Sequence, residues 1–241
     1  MKLKDVKIGT KLLASYILLA VLCGVVGIFG ISKIKEIDDA DTMLYEKMTV
    51  PLGQVADMAV AYQRIRINAR DYIYSENLDN RKMYFRNMND LSDKFIKSAT
   101  EYEKTLFTDA GKKLYENCIA SFNHYRTFIP IVERLIDAGD REKALEILKG
   151  DWRKAGDPVQ QYLDEMYHSK ISLASETADN NTIVASAATS LMISIIAVAM
   201  VLAVLIGIII SRSITLPLAK GVEYADKLAN GDLTAQLDVN Q

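Results

Sequence analysis

The sequence contains few residues that form disulfides or bind metals. It has two cysteines and two histidines among 241 residues. Cys23 lies in an apolar stretch and Cys118 in a polar one, so the two cannot cross-link a single domain, and no CxxC motif is present. His124 and His168 are isolated from each other in the sequence and suggest no metal site. The sequence therefore predicts neither a disulfide-bonded scaffold nor a metal site, and it suggests no cofactor.

An excess of charge of one sign is also missing. The chain carries 29 lysines and arginines against 31 aspartates and glutamates, which gives a formal net charge of -2. This balance argues against a nucleic-acid-binding protein. The sequence also has no nucleophile with a plausible base, no metal-ligand cluster and no phosphate-binding glycine loop, so we expect no enzymatic activity.

Two charge-free stretches hold the apolar excess of the chain. Residues 12–31 and 182–211 are each long enough for a membrane-spanning helix, which needs about 20 apolar residues. The flanking cations are Lys2, Lys4, Lys7 and Lys11 before the first stretch, and Arg212 and Lys220 after the second. Cationic flanks are typical of the cytoplasmic side, so both termini are predicted inside and residues 32–181 outside. A cleaved signal peptide is the alternative for the first stretch, but its apolar run exceeds the roughly 7–15 residues of a signal.

Proline is scarce between the two stretches, and the apolar spacing there is helical. Only Pro51 and Pro130 occur before the last third of this segment, and apolar residues recur every three or four positions. Hardly any strand pattern is present. We predict an all-α, up-down-up-down four-helix bundle, the usual arrangement of consecutive amphipathic helices joined by short turns.

Turn and capping residues set the predicted helix boundaries. The first helix of the bundle is expected to be one long helix, and Asp109 is the expected N-cap of the third. That third helix is expected to continue unbroken to Gly139. Gly150, Gly156 and Pro158 are expected to interrupt the chain before the fourth helix, which then continues into the second apolar stretch.

Several segments carry a family resemblance. The chain reads KIGTKLL at residues 7–13, SRSITLPL at residues 211–218 and ANGDLT at residues 229–234. The last two look like the opening of a HAMP domain, with Pro217 starting its first helix. Together with YEKMTVPL at residues 45–52, these segments resemble the N-terminal half of a bacterial methyl-accepting chemotaxis receptor.

This resemblance implies an organisation and a function. It implies a homodimer in the bacterial inner membrane, with a periplasmic ligand-binding domain at residues 32–181 and a partial HAMP domain at residues 212–241. Residues 1–11 would be the cytoplasmic N-terminus, and the parts that contact the chemotaxis kinase and its adaptor would lie beyond Gln241. The implied function is a transmembrane chemoreceptor that senses an extracytoplasmic small molecule. Two alternatives stay open: the sensor half of a histidine kinase or diguanylate cyclase, and a ligand-free module that only dimerises or docks another protein.

Arginines of the first bundle helix are the main candidates for ligand binding. Arg66 lies between Tyr62 and Ala69 in the predicted apolar seam, where an unpaired buried charge would cost several kcal/mol, so we expect an anion to face it. Arg70 lies one turn further along, and Arg64 lies on a neighbouring face. Forked guanidinium donors suit a carboxylate, which predicts a small anionic ligand such as a carboxylate or an amino acid.

Further candidates come from the resemblance and from helix length. Arg66, Ile67 and Asn68 match an arginine-containing stretch at the dimer interface of the aspartate-sensing members of the family, which adds Asn68. At a rise of about 1.5 Å per residue, Arg66 is level with the region of Trp152 and Arg153 on the descending chain. These two residues are secondary candidates.

Each candidate also has a structural interpretation. Tyr62 could stack against an aromatic acid, but aromatic residues at helical spacing more often belong to a core. The arginines could pair with acids and fix the helix register. The acids available for such pairing are Asp71, Asp90, Asp151 and Asp157.

Overall fold

The computed structural model describes residues 8–231, and this part of the chain is helical almost throughout. Within it, eight helical segments follow one another without a strand. They are α1 (Ile8–Leu44), a π turn (Tyr45–Thr49), α2 (Val50–Tyr74), α3 (Leu78–Glu103), α4 (Asp109–Arg126), α5 (Phe128–Asp137), α6 (Arg141–Lys149) and α7 (Asp151–Ala229). The expectations for Lys2, Lys4, Lys7 and residues 232–234 lie outside the described residues.

The chain forms two compact units, and Asp38–Asn181 is one of them. This unit is an up-down-up-down four-helix bundle, so the predicted fold class is confirmed. The Phe95 and Phe122 rings stack at its centre with centroids 3.7 Å apart and join α3 to α4. The largest fully buried side chains are Trp152, Tyr62, Tyr102, Phe95, Phe122, Met48, Met58, Ile65, Ile73, Met88, Leu163 and Met166.

The first helix of the bundle is not regular, because a π turn at Tyr45–Thr49 precedes α2. Pro51 follows directly, in the first turn of α2. Proline has no N–H, so it cannot donate a hydrogen bond to the carbonyl of Lys47 four residues earlier. The apolar spacing predicts one long helix here and contains no sign of the π turn.

The helices α3 and α4 begin at side-chain caps. The Asn77 side chain accepts hydrogen bonds from the backbone N–H groups of Asp79 and Asn80, at 2.9 and 3.0 Å. Thr108 caps α4, since its hydroxyl accepts from the Gly111 N–H over 3.1 Å. The expectation that Asp109 is this N-cap is wrong by one residue, because Asp109 is already the first helical residue.

The predicted third helix is divided into α4 and α5 by a turn at Thr127. Pro130 lies four residues after Arg126 and cannot donate to its carbonyl, so the regular hydrogen-bond pattern is interrupted there. The end of α5 agrees with the prediction. Gly139 has a φ of 81°, and Asp140 N–H donates to the Leu135 carbonyl over 2.9 Å, which together close the helix in a Schellman motif.

The fourth helix begins earlier than expected. Gly150 separates α6 from α7, as predicted, but Gly156 and Pro158 lie inside α7 and do not interrupt it. The Gly156 carbonyl accepts a hydrogen bond from the Tyr62 hydroxyl over 2.8 Å. An added Cβ at Gly156 would collide with Tyr62, so this glycine permits close packing of α2 on α7 rather than a break in the chain.

The second unit contains the two ends of the chain, up to Ile37 and from Thr182. By length and composition, the helical regions that include α1 and α7 each hold a segment able to cross a membrane, and these segments are not buried within the protein. Gly30 is buried, and a Cβ added there would lie 3.1 Å from Met192 Cε. The two apolar segments therefore approach each other closely at Gly30.

Candidate functional site

The Asp38–Asn181 unit has an open cleft of about 400 Å³ on its surface. Most of its residues come from α2 and from the region where α6 ends and α7 begins, and α4 contributes Tyr125. The lining residues are Tyr62, Gln63, Arg66, Ile67, Arg70, Tyr125, Leu148, Lys149, Trp152 and Arg153. The fold therefore brings residues from distant parts of the sequence to one surface.

Five of the seven residues predicted as ligand contacts line this cleft: Tyr62, Arg66, Arg70, Trp152 and Arg153. Two do not, and one of these has a clear structural role. Asn68 is buried, its Nδ2 donates to the Arg64 carbonyl over 2.7 Å, and its Oδ1 accepts from Asn87 over 3.1 Å. Arg64 is exposed outside the cleft. A role in ligand binding stays a prediction for all seven residues.

Arg66 does not occupy the buried position that the apolar seam predicts. Its side chain is exposed, because Tyr62, Ile65 and Ala69 fill the neighbouring core positions. Nη1 of Arg66 donates to Gln63 Oε1 over 3.2 Å, and Cζ lies 5.7 Å from the centre of the Tyr62 ring. No carboxylate in the described part of the chain forms an ion pair with Arg66. The guanidinium therefore remains available to an anion.

Four cationic side chains line the cleft, whereas no described carboxylate does. Arg70 already has an acidic partner, since its Nη2 lies 3.1 Å from Asp71 Oδ1. The structural interpretation thus applies to Arg70. Asp151 pairs instead with Lys154, at 3.9 Å. The other three cations favour an anionic ligand, because their charges add at one surface. They are Arg66, Lys149 and Arg153.

Aromatic side chains separate the cleft from the core. The Tyr62 and Tyr125 rings meet edge to face with centroids 5.1 Å apart, and Trp152 packs beside Tyr125 at 5.6 Å. The indole Nε1 of Trp152 is buried and has no hydrogen-bond partner among residues 8–231. A buried donor without an acceptor costs about 1–3 kcal/mol. A ligand oxygen that reached this N–H would remove that cost.

Burial keeps both tyrosines of the cleft neutral. It raises the pKa of Tyr62 to about 12, while the Arg66 charge acts in the opposite direction and the Asp157 charge in the same direction. Burial also raises the pKa of Tyr125. Both hydroxyls therefore keep their protons at neutral pH and can act as donors.

The cleft has the chemistry of an anion site rather than a metal site. Its lining contains arginine, lysine and neutral side chains, none of which is a usual metal ligand. Across the described residues, no group of three or more His, Cys, Asp or Glu side chains is placed to hold a metal ion.

Five residues of the cleft were not singled out by the sequence: Gln63, Ile67, Tyr125, Leu148 and Lys149. Helical rise alone places the chain near residues 147–152 level with Arg66, so a signal for Leu148 and Lys149 was present. No comparable signal exists for Tyr125, because the position of α4 against α2 and α7 depends on how the whole bundle packs.

Comparison with known proteins places this cleft in a sensory bundle. A family model described as a four-helix-bundle sensory module for signal transduction matches residues 5–185. A curated protein of Acetivibrio thermocellus, whose assigned role is that of a sensory transducer, is 31% identical over 132 residues, which cover 55% of this chain and 24% of that protein. No solved structure matches the chain. The chain belongs to the family of four-helix-bundle sensory modules for signal transduction, the module of the methyl-accepting chemotaxis receptors that its sequence resembles.

Proposed function

We propose that the protein is a transmembrane chemoreceptor that senses a small extracytoplasmic anion, either a carboxylate or an amino acid. The observation that carries this proposal is the open cleft, where Arg66, Lys149 and Arg153 have no carboxylate partner among the described residues. Membership of a family of sensory modules supports a role in signal transduction. The identity of the anion and of the effector belongs to the proposal.

A carboxylate would replace the Gln63 amide oxygen at the Arg66 guanidinium. Hydrogen bonds between two charged groups are roughly twice as strong as neutral ones, so this exchange is favourable. Lys149 and Arg153 offer further cationic donors in the same cleft, and Leu148 adds an apolar surface. The lining therefore suits a small organic anion with an apolar part.

Signalling requires that the ligand distinguish two states of the bundle. Arg66 belongs to α2 and Arg153 to α7, so an anion bound by both side chains favours one relative position of these two helices. We propose that α7 passes this change through residues 182–211 to the HAMP segment at residues 212–241, and from there to a chemotaxis kinase and its adaptor.

The proposed topology places residues 32–181 in the periplasm and both termini in the cytoplasm. Residues 12–31 and 182–211 would cross the inner membrane. The unburied apolar segments in the helical regions of α1 and α7 support this topology, as does the cationic excess that flanks them in the sequence.

We also propose a homodimer that packs through the outward face of α2. Val60, Ile67 and Tyr74 recur every seven residues on this helix, and they are exposed by 52%, 49% and 54%. A heptad of exposed apolar residues is typical of a helix that packs against a second helix. Ile67 also lines the cleft, so the dimer contact and the ligand site would adjoin each other.

The test uses Trp152, the single tryptophan of the chain, as a fluorescent reporter of the cleft. The full chain in lipid nanodiscs would be titrated with L-aspartate, succinate, benzoate and a panel of amino acids. We expect at least one of these anions to change the tryptophan emission and raise the melting temperature, because a ligand that binds only the folded state stabilises it.

Two variants locate the binding. Arg66→Ala should weaken binding of that anion by about tenfold or more, since a hydrogen bond to a charged group contributes about 1.5–3 kcal/mol. Arg64→Ala is the matched control, because Arg64 is an exposed arginine of the same helix outside the cleft. Equal affinity in both variants would show that the site lies elsewhere, and no response to any tested anion would refute anion sensing.

A further inference from the structure

The cations of the cleft come from two parts of the bundle. Arg66 and Arg70 belong to α2, whereas Lys149 is the last residue of α6 and Arg153 lies in the first turn of α7. Arg70 already has Asp71 as an acidic partner at 3.1 Å, so Arg66 is the arginine of α2 that is left for a ligand. The cleft therefore offers a ligand one cation from α2 and two from the junction of α6 and α7.

The two cations of this junction keep their charge for a ligand. Lys149 and Arg153 are both exposed, and no ion pair among residues 8–231 involves either of them. Asp151 lies between them in the sequence, but it pairs with Lys154 at 3.9 Å. A carboxylate of a ligand would therefore meet no acidic competitor from the lining of the cleft.

The helix ends at this junction do not decide which charge the cleft prefers. The negative end of the α6 dipole lies at Lys149, and the positive end of the α7 dipole lies at Asp151. Only Gly150 separates the two ends, so their opposite partial charges largely offset each other. The charged side chains therefore set the preference.

The described lining has no group that would neutralise an ammonium ion, because it contains no carboxylate. The charge of Asp157 reaches Tyr62, but Asp157 is exposed on α7 and does not line the cleft. The Gln63 amide oxygen is a neutral acceptor, and Arg66 already donates to it over 3.2 Å. An ammonium group in the cleft would thus lie among cations and lose part of its hydration.

We propose that the cleft selects small dicarboxylic acids that carry no amino group. One carboxylate binds Arg66, and the other binds Lys149 or Arg153. This inference rests on the proposed anion sensing and narrows its ligand, because it removes the α-amino acids from the candidates. An amino acid brings an ammonium group together with its carboxylate, so the repulsion of one group offsets the attraction of the other.

The size and the apolar part of the cleft suit such a ligand. Its volume of about 400 Å³ lies at the lower end of the range that small-molecule sites occupy. Leu148 and Ile67 provide apolar surface for the carbon atoms between the two carboxylates. A second carboxylate also strengthens binding where cations from separate helices add their charges at one surface.

Calorimetric titration of the full chain in lipid nanodiscs tests the inference with two matched pairs of acids. L-malate and L-aspartate share their carbon chain and both carboxylates, and they differ only in a hydroxyl against an ammonium group. Succinate and butyrate both have four carbons, and they differ in the second carboxylate. We expect L-malate to bind about tenfold tighter than L-aspartate, and succinate about tenfold tighter than butyrate, because each difference changes the charge that meets the cations.

A charge reversal in the lining tests whether this cleft causes the selection. Lys149→Glu should remove the preference for L-malate over L-aspartate, because it replaces a cation with a carboxylate that can pair with the ammonium group. Lys143→Glu is the matched control, since it makes the same charge change at an exposed position of α6 outside the cleft. This control should keep the preference of the natural sequence.

The outcomes separate this inference from the proposed function. Binding of L-aspartate as tight as that of L-malate, or of butyrate as tight as that of succinate, would overturn the selection of dicarboxylic acids and leave anion sensing intact. An equal preference in Lys149→Glu and Lys143→Glu would overturn the role of this cleft in the selection. Failure of all four acids to bind would also overturn the inference, and anion sensing would fail with it only if benzoate and the panel of amino acids did not bind either.

Discussion

At the scale of single residues, Gly156 lets α2 and α4 pack closely against α7. The Tyr62 hydroxyl bonds the Gly156 carbonyl, and an added Cβ would collide with that hydroxyl and lie 3.2 Å from Tyr125 Cε2. We expect Gly156→Ala to lower the free energy of unfolding by about 1–3 kcal/mol, the usual effect of overpacking a core. Urea denaturation of the full chain in mild detergent measures this change.

The matched control is Gly53→Ala in α2. A Cβ added at Gly53 meets nothing within 4 Å, so alanine should only improve helix propensity there. We expect this variant to raise the free energy of unfolding by about 0.5–1 kcal/mol. If both variants had the same effect, the close approach at Gly156 would not be the reason for its glycine.

The residue scale also shows where prediction from sequence stops. The apolar seam predicts that Arg66 is buried and faces an anion, whereas the structure places its side chain in the cleft and exposed. Helical spacing identifies the apolar face of one helix. Which residues at the border of that face are buried depends on the side chains of the helices that pack against it. Gly156 illustrates the same limit, because a glycine that reads as a helix breaker is instead required by two tyrosines from distant segments.

At the scale of helices, the structure shows which of two adjacent residues caps the start of α4, a choice that the sequence alone does not decide. The Thr108 hydroxyl accepts the Gly111 N–H, whereas Asp109 is an exposed residue of the first turn. We expect Thr108→Ala to destabilise the protein by about 1 kcal/mol through loss of the cap. Asp109→Ala should cost about 0.3–1 kcal/mol, the effect of a charge near a helix N-terminus. Thermal unfolding of the two variants would be measured in 1 M salt, which screens the charge of Asp109. Under these conditions we expect only Thr108→Ala to lower the melting temperature. A lower melting temperature for Asp109→Ala alone would identify Asp109 as the cap.

Helix boundaries could be predicted where the signal is local. Gly139 and Gly150 are examples, because a glycine at a helix end requires no information from the rest of the fold. The π turn and the break at Thr127 could not be predicted in this way. Both lie close to a proline, Pro51 or Pro130. The Lys47 carbonyl in the π turn also accepts a hydrogen bond from Lys170, which is more than a hundred residues away in sequence.

At the scale of the whole molecule, the fold class followed from apolar spacing, because four amphipathic helices joined by short turns have few ways to bury their apolar faces. The proposed assembly of two copies is a different problem. The interface between two copies does not involve the core of either chain. It can be inferred only from apolar side chains that stay exposed in the folded single chain. On α2 they include Val60, Ile67 and Tyr74, all about half exposed and seven residues apart.

Cysteine cross-linking tests whether this face joins two copies. Val60→Cys should form an intermolecular disulfide when membranes that contain the protein are oxidised. A disulfide requires a Cα–Cα separation of about 4.4–6.8 Å, and equivalent residues of two parallel helices that pack through a heptad lie at about this separation. Cys23 is exposed in the apolar segment, so Cys23→Ser is included to prevent unrelated cross-links, whereas Cys118 is buried. The control is Lys97→Cys, an exposed position on α3. A dimer on a non-reducing gel for Val60→Cys alone supports the α2 interface, whereas cross-linking of Lys97→Cys alone would move the interface to α3.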